Sequence, residues 1–150
     1  MKPNLEQKIA NWMYMYGILC LRISLAIVFI WFGILKPFGL SPATELVKKT
    51  VYWFSPDIFV PILGWWEVCI GVFLLYRPLI KFAIILLFLQ MPGTALPLFL
   101  LPEVCFKSFP FVLTLEGQYI IKNLVLISAG LVIGGTSKLT SNKNRRMQLY

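Results

Sequence analysis

The sequence predicts an all-α integral membrane protein: a four-helix bundle with a short interfacial helix in its first outer loop. Three observations support this prediction. Hydrophobic residues make up 59% of the 150 residues and charged residues 13%, whereas soluble domains have about 45–50% and about 25%. Four long apolar runs follow one another, and three of them reach the roughly 17–25 residues that cross a bilayer as a helix. Little sequence remains outside the runs, so we expect one domain over residues 1–150.

The apolar runs place the four transmembrane helices. The second run is the shortest, and it needs part of its flanks to cross the bilayer. The turn YRPLIK is short, so helices 2 and 3 are expected to be antiparallel neighbours. The expected helices cover residues 15–37, 58–76, 79–101 and 115–135, followed by a basic cytoplasmic tail at 136–150.

The two outer loops differ in character. The first, GLSPATELVKKTVYWFSP, predicts a short helix that lies on the membrane, with Ser41 as N-cap and Pro42 as its first residue. Apolar side chains recur in it at helical spacing, Tyr52 and Trp53 suit the interface, and Ser55–Pro56 ends it. The second, LPEVCFKSFPFVLT, is aromatic and contains prolines, so we expect it to fold back over the helix ends.

The net charge of +8 indicates topology rather than nucleic-acid binding. Three segments must share one side of the membrane: the N-terminus, the turn between helices 2 and 3, and the tail. Their basic residues are Lys2, Lys8, Arg77, Lys81, Lys138, Lys143, Arg145 and Arg146. The opposite side has Lys36, Lys48, Lys49 and Lys107. By the positive-inside rule, both termini are expected in the cytoplasm, and no nucleic-acid partner is expected.

Several kinds of chemistry are excluded by composition. The sequence has no histidine, so imidazole-ligated haem, histidine metal sites and Ser-His-Asp triads are excluded. Cys20, Cys69 and Cys105 form no C-x-x-C pair, which argues against a thiol–disulfide relay. A bridge between Cys69 and Cys105 is one alternative, but we expect three unpaired thiols. We assign no catalytic residue and no metal site, which favours a chain without enzymatic activity of its own.

Charged and polar residues inside the apolar runs are the candidate functional residues. A charge at mid-membrane costs about 2.5–3.5 kcal/mol on insertion scales, so such residues usually face the bundle interior and are paired. On helices 1, 2 and 4 they share a face with glycines, which indicates packing faces rather than lipid-facing ones. The expected buried ion-pair network contains Arg22, Lys36, Glu67, Glu116, Lys122 and Asn123.

Depth along the helices predicts partners within this network. At about 1.5 Å per residue, Glu67 and Lys122 lie at similar depths below the outer boundary. Lys36 and Glu116 both lie near the boundary itself. These two pairs are therefore expected, with Lys36 as the alternative partner of Glu67. Arg22 lies toward the inner side, too far from Glu67 for an easy direct contact.

Helix 3 contains a second anomaly, FLQMPGTALPLF. Gln90 lies near mid-membrane, and Pro92–Gly93 and Pro97 interrupt the backbone hydrogen bonds just beyond it. Broken backbone at that depth is tolerated against protein or a wet cavity, and in transporters it often marks a binding site. A simple kink is one interpretation, and a polar cavity bordered by Gln90, Pro92, Gly93 and Thr94 is the other. The candidate ligand-binding residues of that cavity are Glu67, Gln90, Thr94 and Lys122.

These motifs together resemble one family. Arg22 with FGILK in helix 1, GWWEVCIG in helix 2 and the four-helix layout resemble the DoxX-like superfamily. LQMPGT, the outer SP and LEGQYIIKN are similar to recurring segments of its YkgB-like branch of bacterial inner-membrane proteins. The resemblance covers roughly Tyr16 to Gly135. It implies a compact bundle in the bacterial plasma membrane, with associations to a thiosulfate:quinone oxidoreductase subunit and to oxidative-stress responses.

Two functions remain open. The small size, the short outer loops and the lack of a catalytic constellation favour a non-catalytic accessory subunit of a larger membrane assembly, respiratory or redox in character. Its partners would be the lipid bilayer and other membrane subunits or further copies of this chain. The alternative is binding of a quinone-like or other lipophilic molecule between helices 2, 3 and 4, with Glu67, Gln90 and Lys122 as polar contacts. A transporter ranks third, because four helices without a repeat would need to oligomerise.

Overall fold

The computed structural model describes residues 4–147 of the chain, and the side chains of residues 4–136. The chain is 80% helical, which agrees with the expected all-α bundle. In the described part, four helical stretches are long and apolar enough to cross a membrane: Leu5–Leu35, Pro56–Leu75, Arg77–Leu100 and Leu115–Thr136. They correspond in order to the four apolar runs of the sequence.

Eight helices and one small hairpin make up the described chain. The helices are α1 (Leu5–Leu35), α2 (Thr44–Thr50), α3 (Pro56–Leu75), α4 (Ile80–Ala95), α5 (Pro97–Leu100), α6 (Pro102–Cys105), α7 (Leu115–Ile121) and α8 (Asn123–Met147). A 3-10 turn at Arg77–Leu79 joins α3 to α4. The antiparallel hairpin of β1 (Phe106–Ser108) and β2 (Val112–Leu113) lies in the second loop. Strands this short carry no period-2 pattern, so the sequence did not predict them.

The first and last helices of the chain are longer than the apolar runs indicate. α1 begins at Leu5 rather than at residue 15, and the Asn4 backbone N–H donates to the Gln7 side chain at 3.2 Å in its first turn. α8 continues to Met147, so the tail expected from residue 136 is helical over most of its length. Residues 148–150 of that tail lie outside the described residues. Hydropathy did not predict either extension because both are helices of mixed polarity.

Of the two predicted interruptions of helix 3, the structure has the one at Pro97 and not the one at Pro92–Gly93. α4 continues through Pro92 and Gly93 to Ala95, because a proline removes only one hydrogen bond of the helical ladder. Leu96 keeps right-handed helical backbone angles, and α5 begins directly after it at Pro97, which has no N–H for the ladder. The two helices together form one long span. Helix 4 is likewise divided, at Lys122, between α7 and α8.

α1 and α3 approach each other at glycines. A Cβ atom at Gly33 would lie 2.8 Å from the Gly64 carbonyl oxygen, and one at Gly64 would lie 2.6 Å from the Gly33 carbonyl oxygen. A Cβ at Gly71 would lie 2.8 Å from the Ala26 carbonyl oxygen. Only glycine permits contacts this close, so the glycine-bearing faces of helices 1 and 2 are packing faces, as predicted. Gly130 in helix 4 makes only an ordinary contact, 3.4 Å from Leu87.

The core is a narrow apolar column between α1, α3, α4 and α8. It excludes solvent from one stripe of each helix and leaves the opposite stripe exposed. Its buried members are Leu25, Ala26, Phe29, Ile70, Leu74, Ile80, Ala83, Leu87, Met91, Ala129 and Ile133. The column reaches the level of the polar residues described next, since its member Met91 directly follows Gln90 in the chain.

Candidate functional site

Three polar side chains meet between α1, α3 and α4, and we call them the polar cluster: Lys36, Glu67 and Gln90. Lys36 Nζ forms an ion pair with Glu67 Oε2. Gln90 Nε2 donates to the other carboxylate oxygen, Glu67 Oε1, at 2.8 Å. The three residues are 6%, 9% and 8% exposed, respectively. Both oxygens of the buried carboxylate therefore have a donor, one from a cation and one from an amide.

Local sequence places Lys36 and Glu67 within reach of each other. α1 ends just before Lys36, because Pro37 has no N–H to continue the helix and Gly39 adopts a left-handed conformation (φ +70°). One turn earlier, Gly33 packs against Gly64 and against the Cβ of Glu67. A Cβ added at Gly64 would lie 2.8 Å from the Cβ of Lys36. The small residues thus bring the two helices close enough for the charges on the same faces to pair.

The other members of the predicted network do not join it. Glu67 pairs with Lys36 and not with Lys122, and Lys36 does not pair with Glu116, so both primary pairings were wrong. Lys122 and Glu116 are exposed, and neither forms an ion pair with a described side chain. Depth along a helix does not fix the face on which a residue lies, and this is why the depth argument failed. Arg22 is half-buried, and its Nε has no hydrogen-bond partner among the described residues.

A pocket of about 460 Å³ adjoins the polar cluster, whose three members lie in its wall. This volume falls in the range of about 300–1,000 Å³ that is typical of small-molecule sites. All four long helices contribute to the wall, and apolar or aromatic side chains such as Phe32, Phe59 and Leu63 predominate. Trp66, also in the wall, ties α3 to α4, because its Nε1 donates to the Leu86 carbonyl oxygen at 3.3 Å.

The short helix α2 covers one side of this pocket. Leu46, Val47 and Thr50 line the pocket, whereas Glu45 and Lys49 are exposed. The predicted amphipathic helix is therefore present, and its apolar face meets the pocket. Its predicted start was wrong by two residues: α2 begins at Thr44 with Ala43 as N-cap, not at Pro42 with Ser41 as N-cap. The Ser41 hydroxyl instead accepts a hydrogen bond from the Ala43 N–H at 3.3 Å.

The predicted cavity beside helix 3 is partly matched by this pocket. Gln90, Gly93 and Thr94 line it, but Pro92 and Lys122 do not. The pocket is also more apolar than expected, with its charged residues confined to the polar cluster. The contribution of α2 was not predicted, although the helical spacing of apolar residues in the first outer loop indicates an apolar face that must be covered.

Several polar groups of the pocket have no partner in the described chain. Gln90 Oε1 is buried and accepts no hydrogen bond. Asn123, at the start of α8, and Tyr119, in α7, also line the pocket, and their side chains make no hydrogen bond to the described residues. Thr94 differs from them, because its hydroxyl donates to the Met91 carbonyl oxygen of its own helix at 2.9 Å. Unused donors and acceptors therefore lie close to an apolar cavity.

The cysteines do not contribute to the pocket. All three are unpaired, with Cys20 and Cys69 exposed and Cys105 buried. Burial raises the pKa of the Cys105 thiol above its usual 9.0, and the carboxylates of Glu116 and Glu103 raise it further. A thiol held protonated in this way is a poor nucleophile. Among the described residues, no group of three or more Cys, Asp or Glu side chains could hold a metal ion.

Comparison of the chain with protein-family models, with curated proteins and with solved structures gives no match. Membership of the DoxX-like superfamily therefore remains an expectation from the sequence motifs. The pocket and the polar cluster in its wall are the observations from which a function can be proposed.

Proposed function

We propose that this chain binds a lipophilic small molecule in the pocket between its four long helices. The observation that carries the proposal is a preformed cavity of about 460 Å³ with an apolar wall and one buried polar cluster. Small-molecule sites have this composition, with a few polar groups fixing the orientation of the ligand. The apolar wall would hold the body of the molecule and the polar cluster its polar end. A quinone-like molecule belongs to this class of ligand.

The ion pair alone would be weak support, because buried pairs also occur with no functional role. Here, however, the pair lies in the wall of a cavity instead of being enclosed by side chains. The same wall contains Tyr119 and Asn123, whose side chains make no hydrogen bond to the described residues. Both features favour a binding role over a purely structural one.

A pocket-filling substitution tests the proposal. Gly93 lines the pocket, and nothing lies within 4 Å of a Cβ placed on it. Gly93→Leu should therefore occupy the cavity without a backbone clash. Gly17→Leu is the matched control, because Gly17 is equally unobstructed but lies on the exposed half of α1.

The readout is native mass spectrometry of the chain purified in mild detergent. We expect the wild type and Gly17→Leu to retain a small molecule at near-equal occupancy, and Gly93→Leu to lose most of it. Equal retention by Gly93→Leu and the wild type would contradict the proposal. So would a wild-type chain that carries no small molecule even after incubation with total membrane lipid.

We also propose that the chain is a multi-pass protein of the bacterial inner membrane with both termini in the cytoplasm. Large apolar side chains on the outward faces of the long helices, among them Trp31, Trp65, Ile85 and Leu131, are exposed and would be covered by lipid. The excess of basic residues at the termini and in the turn at Arg77–Leu79 supports the orientation. A C-terminal alkaline phosphatase fusion should be inactive, and strong activity would contradict the orientation.

A second candidate function is that of an accessory subunit in a larger membrane assembly. The first half of α1 favours it: every residue from Asn4 to Cys20 is exposed, and the first buried residue of this helix is Leu25. At about 1.5 Å per residue this half extends for about 25 Å. Trp12, Met13 and Tyr14 are exposed on it. A helix that no other described residue covers over this length offers a surface to another protein.

The test is affinity purification in gentle detergent followed by protein mass spectrometry. A stoichiometric partner protein is expected with the wild type, and Met13→Asp should remove it. A wild-type chain that purifies without any stoichiometric partner would contradict the accessory role, while leaving the pocket proposal unaffected.

A further inference from the structure

Arg22 is a charged residue of α1 that helix packing leaves without a counter-ion. It is half-buried on the face of α1 that carries Ala26 and Phe29. Its guanidinium makes no hydrogen bond or ion pair with a described residue, and Nε is the only one of its nitrogens that is buried. The terminal Nη1 and Nη2 atoms are therefore accessible and have no partner among the described residues.

The packing of α1 on α3 shows which part of the bundle lies beside Arg22. The two helices run in opposite directions, and a Cβ placed on Gly71 would lie 2.8 Å from the Ala26 carbonyl oxygen. One helical turn further along, the same register pairs Arg22 with Leu75, the last residue of α3. Arg22 is therefore at the end of the bundle away from α2 and the pocket.

Two further cations lie at this end of the bundle. Arg77 follows Leu75 by two positions and begins the 3-10 turn, and Lys81 lies in the first turn of α4. Both side chains are exposed. Neither forms an ion pair with a described residue. The three cations thus form a positive region around the junction of α3 and α4.

No acidic side chain compensates this charge, and all six of the sequence are among the described residues. Glu67 lies about 12 Å from Leu75 along α3, and it is paired with Lys36. Glu6 lies about 24 Å from Arg22 along α1. The other four lie toward the α2 end of the bundle: Glu45, Asp57, Glu103 and Glu116.

The chemistry of this region matches a lipid phosphate. A charge within an apolar span is costly unless it is paired or reaches the head groups. A guanidinium presents its N–H donors in a planar fork that fits phosphate oxygens, and basic groups between membrane helices bind anionic head groups. Ile23 on α1 and Val72 on α3 are exposed within one turn of this level and would contact the acyl chains.

We infer that Arg22, together with Arg77 and Lys81, binds the phosphate of an anionic phospholipid at the end of the bundle away from α2. The site is separate from the pocket, so it goes beyond the proposed small-molecule function, and it rests on the proposed membrane location. A zwitterionic phospholipid also has a phosphate, but its ammonium group leaves no net negative charge to compensate the cations. The site should therefore select anionic over zwitterionic phospholipid.

Competition between two phospholipids with identical acyl chains tests this selection. The full-length chain in mild detergent is mixed with equimolar dioleoyl phosphatidylglycerol and dioleoyl phosphatidylcholine. Native mass spectrometry measures the ratio of the two bound lipids. We expect the wild type to prefer phosphatidylglycerol, because each basic residue near a lipid surface contributes roughly a fivefold preference for anionic lipid.

Three variants assign the preference to this site. Arg22→Leu should lower the lipid ratio by about fivefold, and it should still fold because it removes an unpaired charge from an apolar helix. Arg77→Gln changes an exposed residue of the turn and should lower the ratio as well, so the test does not depend on one variant. Lys122→Leu is the matched control, because it also removes one exposed positive charge from a long span, but toward the α2 end. That variant should keep the wild-type ratio.

Equal binding of the two lipids by the wild type would overturn the inference. An equal fall of the ratio in Lys122→Leu and Arg22→Leu would do so too, since overall charge would then explain the preference. A ratio unchanged in both Arg22→Leu and Arg77→Gln would overturn the assignment to these residues.

Sodium phosphate and sodium chloride, added separately at equal ionic strength, distinguish a lipid from a free phosphate. The bound phosphatidylglycerol should be the same in both salts, and its loss in phosphate alone would show that a free phosphate takes the site. If the wild type binds neither phospholipid, the inference and the membrane location both fail. The pocket is tested separately by Gly93→Leu.

Discussion

Lys36, at the end of α1, and Glu67, in the middle of α3, form a buried ion pair in the wall of the pocket. Their side chains are 7% and 11% exposed. The pair lies beside the contact between Gly33 and Gly64, where the two helices approach most closely. One local arrangement therefore holds α1 against α3 and also places a polar group at the end of an apolar cavity. Changes to it are expected to affect stability and binding together.

The ion pair predicts a coupled effect on stability. Glu67→Gln and Lys36→Met should each lower the free energy of unfolding by about 3–5 kcal/mol, because each leaves one charge buried without its partner. The double variant should lose less than the sum of the two, because neither charge remains. Unfolding in mixed detergent and dodecyl sulfate micelles measures all three variants.

Lys122 provides the control for this cycle. It is exposed and forms no ion pair with Glu67, so Lys122→Met should have a small effect that adds to that of Glu67→Gln. Additive losses in the cycle with Lys36, or strong coupling in the cycle with Lys122, would contradict the observed pairing.

The glycine contact predicts a steric effect in a different pair of variants. Gly64→Ala should destabilise the bundle by about 1–3 kcal/mol, because its Cβ would lie 2.6 Å from the Gly33 carbonyl oxygen and 2.6 Å from Pro37 Cδ. Gly17→Ala is the control, since nothing lies within 4 Å of its Cβ. Alanine is the better helix former, so this control should be neutral or slightly stabilising. Equal unfolding midpoints for the two variants would show that the close approach is absent.

The four long helices were predictable because an apolar run depends only on residues that are adjacent in sequence. The ends of these helices were harder to predict. α1 begins at Leu5 and α8 continues to Met147, both in sequence of mixed polarity. Helix propensity and local hydrogen bonds determine where these helices begin and end, and hydropathy includes neither effect. The hairpin after α6 was missed for a related reason, because its strands are too short to show a pattern.

The ion pair was predictable in part. Gly64, Glu67 and Gly71 lie on one face of α3, and this spacing correctly indicated that Glu67 faces a packed helix. The spacing could not choose between Lys36 and Lys122. Both lysines lie at a depth from which they could reach Glu67, and the direction in which each side chain points determines which of them does. That direction depends on the rotation of each helix about its own axis relative to its neighbours, and the residue pattern of a single helix does not give this rotation.

The sequence predicted only part of the pocket wall. The motif LQMPGT correctly drew attention to Gln90 and Thr94, which line it. Another part of the wall comes from α2, whose residues are far from this motif in sequence. An amphipathic stretch predicts an apolar face but not the element that this face covers. The expected wet, polar cavity is consequently a mainly apolar pocket with one polar cluster.

The burial of Cys105, which lies outside the long helices, predicts that its thiol reacts more slowly than an exposed thiol nearby. Burial raises the pKa of its thiol, and Glu116 and Glu103 raise it further. The thiolate is the species that reacts with maleimide. A folded chain in which Cys105 is the only cysteine (Cys20→Ser and Cys69→Ser) should therefore react slowly with a water-soluble maleimide. The comparison is a chain with Cys105→Ser added and Lys107→Cys as its only thiol, because Lys107 lies two residues away and is exposed.

The rate at Cys105 should be lower near neutral pH, because burial and the neighbouring carboxylates raise the pKa of the thiol and leave less of it as thiolate. The sign of the pH effect follows from the raised pKa. As pH rises, the rate at Lys107→Cys should increase first, and the rate at Cys105 should follow only at higher pH. In dodecyl sulfate, where the fold is lost, the two thiols should react at equal rates. Superimposed pH profiles for the folded chains would contradict the burial of Cys105 beneath the hairpin loop, where its carbonyl oxygen accepts from the Thr114 N–H at 3.0 Å.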